Sequence, residues 1–121
     1  MKLNDQVLSD SQMRLLVNLG LDVSDASVYC KNNKLLWKSG NKKSCPGSWF
    51  IYTLGDIVKK LPKEIKLDGY EFQLVISPGK GVMYFDWIEG RTLVEYRKLS
   101  WQSDIDTLFE CLKWCLMNRH I

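Results

Sequence analysis

The chain has 121 residues, 45% apolar and 26% charged, with five Trp, five Tyr and four Phe and a net charge of +3. That length fits one domain with a single core, and the composition is that of a globular chain, which excludes disorder and leaves no room for a second domain. The longest uncharged apolar runs, Leu15-Leu16-Val17 and Trp49-Phe50-Ile51-Tyr52, fall far short of the ~20 residues of a membrane span.

The opening MKLNDQVLSDSQ carries Asn, Asp and Gln where a secretion signal needs its apolar region, so a cytoplasmic location is the expectation. The first helix is predicted over 10–19. Ser9 and Gln12 make a capping box, Leu8 is placed to staple onto Met13, Gly20 supplies a left-handed stop, and Leu21 can pack back on Leu16. LDVSDAS reads as a turn or short helical piece. VYCKNNKLLWK reads as a hairpin turning on Asn32-Asn33, and SGNKKSCPGS as a loop.

Thr53 starts a second helix, with Asp56 in its first turn and Leu54, Ile57, Val58 and Leu61 at helical spacing, and Pro62 ends it. From Tyr70 the period becomes two: Tyr70, Phe72, Leu74 and Ile76 point one way, Glu71 and Gln73 the other. SPGKG is a turn. VMYFDWI and RTLVEYRKL make two further strands joined across Glu89-Gly90, giving a three-stranded antiparallel meander. Glu71, Asp86, Glu89 and Glu95 read as its solvated face.

Ser103 caps the last helix, with Asp104 and Asp106 near its positive end. Counting about 100° per residue puts Cys115 in the middle of an apolar face with Ile105, Leu108, Leu112 and Leu116, and Cys111 on its flank. Both cysteines are therefore read as small packed thiols rather than as zinc ligands. Zinc would need Cys30, Cys45 or His120 as well, from other elements and a fraying end, and no Cys-x-x-Cys pair supports it. With no export signal, all four thiols are expected to be reduced, and no cofactor or metal is implied. With Cys111, Trp114 and Phe109 the apolar surface widens to about 220° of the helix, more than one contact needs. Either the N-terminal helix and hairpin wrap this side, or Trp114, Cys111 and Met117 form a partner interface, a symmetric dimer through the last helix being one version.

The architecture expected is α+β: an N-terminal helix and hairpin, then a helix, the meander, and a C-terminal helix packed on one sheet face. The segments LVNLGLDVSDAS, LPKEIKLDGYEFQLVIS, WIEG and IDTLFECLKWCLMNRHI resemble a set of short proteins encoded in prophage-like and other mobile regions of gut anaerobic bacteria. Those chains commonly end in Leu-Phe-x-x-Leu-x-Trp-Cys followed by Asn-Gly. Here Leu108 to Cys115 and Asn118 match, but Arg119 stands in place of the glycine, which puts the tight helix stop in question. The resemblance covers most of the chain and implies a small accessory protein of a mobile element. It carries no catalytic motif.

Three functions follow for weighing. An enzyme is disfavoured, because the single histidine, His120, has no orienting partner in sequence and there is no nucleophile elbow, phosphate loop or carboxylate pair. Nucleic-acid binding draws on an uneven charge: residues 31–66 hold nine basic and two acidic side chains, a segment of +7 between two of −2. Lys42, Lys43, Lys59, Lys60, Lys63 and Lys66 would make the contacts. The order helix, three strands, helix looks like a double-stranded-RNA-binding domain, but Asp104 and Asp106 stand where that family needs cations, and small antitoxins of the HicB type share only a similar order of elements. The third reading, a non-enzymatic module acting through a protein partner or self-association, fits the absence of chemistry and the aromatic excess best.

Overall fold

The computed structural model describes residues 7–31, 34–37 and 48–121, with residues 30, 31, 34–37, 48 and 49 described by backbone alone. Helix α1 spans Asp10–Asn18. Strands β1 (Val28–Lys31), β2 (Lys34–Trp37) and β3 (Ser48–Ile51) follow, then α2 (Leu54–Lys60), β4 (Glu64–Leu67), β5 (Tyr70–Ser77), β6 (Gly81–Asp86), β7 (Arg91–Arg97) and α3 (Asp104–Met117). The fold is α+β, and the described residues form three helices and two antiparallel sheets, ordered β2-β1-β3 and β4-β5-β6-β7.

The helix signals act as read. Ser9 and Gln12 form a reciprocal capping box on α1, Thr53 and Asp56 on α2, and Ser103 and Asp106 on α3. Leu8 and Met13 are both buried beneath the start of α1. At its end, Gly20 at φ +97° donates to Val17 O and Leu21 donates to Leu16 O, so these two carbonyls of the last turn are satisfied and Leu21 turns back over Leu16. Helix α2 stops at Leu61, before Pro62.

The meander has four strands rather than three. Glu64–Leu67 pairs with β5 through a tight turn at Asp68-Gly69, both at positive φ (+53° and +82°), as a two-residue hairpin with right-handed strand twist requires. The hairpin is likewise part of a three-stranded sheet, because Ser48–Ile51 pairs along the other edge of β1. The hairpin turn at Asn32-Asn33 and the loop at 39–47 lie outside the described residues. Asp86 is also corrected: it is buried, not solvated, and its carboxylate accepts from the backbone N–H of Ile88 at 2.9 Å, closing the loop to β7.

One core joins both sheets. Met13 and Leu16 of α1, Val28, Ile51 and Tyr52 of the smaller sheet, Ile57 and Leu61 of α2, Ile65, Phe72, Val82 and Tyr84 of the larger sheet, and Leu108, Phe109 and Leu112 of α3 form a continuous cluster. Each such side chain contributes about 1.5–3 kcal/mol by leaving water. Helix α3 lies on β6 and β7 and against α2, so it covers one face of the larger sheet. Tyr70, Phe72, Leu74 and Ile76 share that face, as their alternation required. An irregularity between Tyr84 and Phe85 makes Leu93 the extra residue of β7, which lets Leu93 and Val94 both reach the core.

Gly81 is the tightest backbone position. It sits at φ +151°, and a methyl group there would be driven into the Tyr96 carbonyl oxygen of the neighbouring strand. Gly81→Ala is expected to cost at least about 2 kcal/mol in urea unfolding, because neither backbone can move without breaking the ladder. Gly55→Ala, with only the Thr53 hydroxyl oxygen nearby, is the comparison and should cost nothing.

Candidate interaction surface

The apolar side of α3 is spent inside the molecule. Cys111 and Cys115 are 0% exposed. Their small side chains let β6 come close, and Tyr84 fills the space between. The Tyr84 hydroxyl donates to Pro62 O at 2.8 Å and faces the Cys115 sulfur at 3.8 Å. Burial and the neighbouring thiol push the Tyr84 hydroxyl pKa well above its ordinary value. The thiol of Cys111 is likewise held up, by its hydrogen bond with Cys115 and by burial. Both cysteines are buried free thiols, as the packed-thiol reading of Cys111 and Cys115 has them.

Cys111 therefore leaves the partner interface expected for it, since a side chain with no exposed surface touches no partner. Trp114 is half-buried, tilted against Tyr84 with ring centres 6.4 Å apart and stacked on His120 at 5.0 Å. Only Met117 of that trio stands free, 64% exposed. The stack comes from the helix stop. Arg119, at φ +58°, donates to Leu116 O at 3.2 Å, and His120 donates to Cys115 O at 2.8 Å. This is the same pair of bonds that Gly20 makes for α1, and it turns His120 back onto Trp114. Helix α3 is also tied to α1, Gln12 Nε2 donating to Asp106 Oδ1 at 3.1 Å.

The described lysines expected to contact nucleic acid divide between the end of α2 and β4. Lys42 and Lys43 lie outside the described residues. Lys59, Lys60 and Lys63 cluster at the C-terminal end of α2, where its dipole favours cations. Lys60 is bonded to Asp25 at 3.0 Å, and Lys63 donates to Val58 O at 3.2 Å. Lys66 lies apart, on β4, between Glu64 on its own strand and Glu71 opposite it. Asp25 also accepts from the Tyr52 hydroxyl at 2.6 Å. Burial alone would raise the Asp25 pKa, but the Tyr52 and Lys60 hydrogen bonds overcome that and hold it below the usual carboxylate value.

Sequence reasoning missed the surface that the larger sheet presents away from α3. Register places Val75 opposite Met83, Gln73 opposite Phe85, Met83 opposite Glu95 and Phe85 opposite Thr92, so these side chains share the face away from α3, which no described element covers. Val75, Met83 and Phe85 form an apolar strip down its middle. It ends at Trp87, whose ring meets Phe85 edge-on at 4.7 Å. Trp87 is 63% and Ile88 85% exposed at the tip of the β6–β7 loop. The signal in the sequence was the run VMYFDWI, whose Met83, Phe85 and Trp87 alternate with buried Val82, Tyr84 and Asp86.

Among the described residues no three His, Cys, Asp or Glu side chains gather to hold a metal ion, and no buried polar side chain lacks a partner. An apolar hollow of about 110 Å³ between Leu54, Ile76, Pro78 and Leu108 is smaller than the ~300–1,000 Å³ of ligand pockets. A wider groove of about 580 Å³ beside α1, lined by Met13, Val17, Val23 and Phe50, has the Arg14–Asp10 ion pair at its edge and no unsatisfied buried group to orient a ligand. No protein-family model, curated protein or solved structure matches the chain.

Two measurements check this account. Arg119→Gly should raise stability by about 1 kcal/mol, since glycine adopts the left-handed conformation without the strain of a Cβ. Asp25, with its folded-state pKa depressed, contributes stability that is present above its unfolded value and lost as pH falls through the folded one. Thermal melts should therefore drop on the acid side of the carboxylate range, and Asp25→Asn should lower the neutral melting temperature while flattening that acid limb.

Proposed function

We propose that this chain is a non-enzymatic interaction module that works by contact between surfaces, its binding face being the uncovered side of the four-stranded sheet. The observation that carries this reading is the strip of Val75, Met83 and Phe85 running out to the exposed Trp87. Val75, Met83 and Phe85 are half-buried and Trp87 is exposed, and aromatic and aliphatic groups that keep surface beside polar neighbours are the usual signature of a protein-binding patch. The sequence resemblance adds a setting: an accessory protein of a mobile element, acting in the cytoplasm.

Nucleic acid is the competing partner. Two of the described lysines proposed for it are engaged within the fold, and Lys66 is set between two carboxylates. These placements weaken a continuous path for phosphates and favour a protein.

The test is photocrosslinking in cells from a benzoylphenylalanine placed at Trp87, with a second probe at Lys59. Protein adducts from position 87 and none from 59 are expected. Nucleic-acid adducts from 59 alone would transfer the reading to the alternative, and no macromolecular adduct from 87 would end it.

A further inference from the structure

We propose that the partner seated on this face is a second copy of the chain, the two sheets meeting face to face. This rests on the interaction reading above and names its occupant. The electrostatics of the face point to it. Glu64, Lys66 and Glu71 flank the apolar strip on the β4 and β5 side. On the other flank, Lys80, Glu95 and Arg97 line the same hollow as Val75 and Met83. That makes three carboxylates and three cations, so the face is neutral although the chain is +3. Each flank carries both signs. A face of one sign repels its own copy, whereas this one can oppose itself with unlike charges in contact.

The strand edges direct the contact to the face. Strand β4 is only four residues long. Edge strand β7 carries Arg91, Glu95 and Arg97 and is bent by the extra residue Leu93. Short, charged and bulged edges resist pairing with another chain. Sheets packed through their faces instead interdigitate side chains about 10 Å apart, and Val75, Met83 and Phe85 suit that role.

Size sets the strength. The four strands hold 4, 8, 6 and 7 residues; at about 3.4 Å per residue and about 4.8 Å between strands they span roughly 400 Å². Trp87 and Ile88 extend this at one end, but the area stays below the ~800 Å² per partner of a permanent complex. The dimer is therefore reversible, of micromolar or weaker affinity.

Sedimentation velocity of the full chain from about 5 to 500 µM tests this, a range that brackets such an affinity. Expected is a rise from monomer to dimer, weakened at least tenfold by Met83→Lys and by Gln73→Lys and unchanged by Met117→Ser. Gln73 is exposed, so its variant keeps the fold and serves if Met83→Lys does not; circular dichroism melts identify which variants are folded. A monomer at every concentration, or a dimer indifferent to both sheet variants or lost only with Met117→Ser, overturns the proposal. If the chain stays monomeric while position 87 still crosslinks to other proteins, the interaction reading stands and only the second copy falls.

Discussion

The contact between α3 and the larger sheet organises this molecule. It depends on two cysteines spaced one helical turn apart, both without exposed surface, and on Tyr84 between them and the sheet. A larger side chain at either cysteine would push the helix outward, since interiors packed this densely absorb little extra volume. A buried tyrosine hydroxyl also needs a partner, and Tyr84 finds one in the Pro62 carbonyl. That bond ties the segment leaving α2 to the centre of the sheet. Helix position, sheet position and the α2–β4 connection are thus set together.

Among the described residues only one face of the larger sheet is covered, which leaves the other as surface. Helix α3 lies on β6 and β7 from one side, and the remaining side chains of those strands have nowhere to go but outward. Their identity then matters. Glu71, Gln73, Thr92, Glu95 and Arg97 are ordinary solvated residues, while Met83, Phe85 and Val75 are not. The apolar residues of α3 look at first like the better interface, yet the fold uses up all but Met117, and Trp114 is closed over by His120.

The two helix stops show how local and tertiary effects combine. Gly20 and Arg119 occupy the same left-handed position and direct the same two hydrogen bonds. For glycine this conformation is free of strain, and for arginine it costs about 1–2 kcal/mol. The stack of His120 on Trp114, itself resting on Tyr84, supplies what offsets that cost. The helix end is therefore held by packing where the residue itself favours another conformation.

Helix positions were legible in the sequence, because capping and stop signals act between residues three to five apart and need no distant partner: Ser9 with Gln12, Thr53 with Asp56, Ser103 with Asp106. The alternation of β5 was legible for the same reason. Strand β4 was overlooked although Asp68-Gly69 marks its turn, since EIKL is short and half charged and becomes a strand by pairing with β5. The helical wheel placed Cys111 on a flank correctly, but an angle about a helix axis does not say what stands opposite, and there it meets the core. Asp86, likewise, reads as a surface carboxylate until the loop folds back to donate to it. The sequence by itself determined where helices begin and end and which residues can face one way. Which face becomes surface was decided only by the tertiary structure, because that depends on register between strands and on the docking of α3, and both are made by contacts across the chain rather than along it.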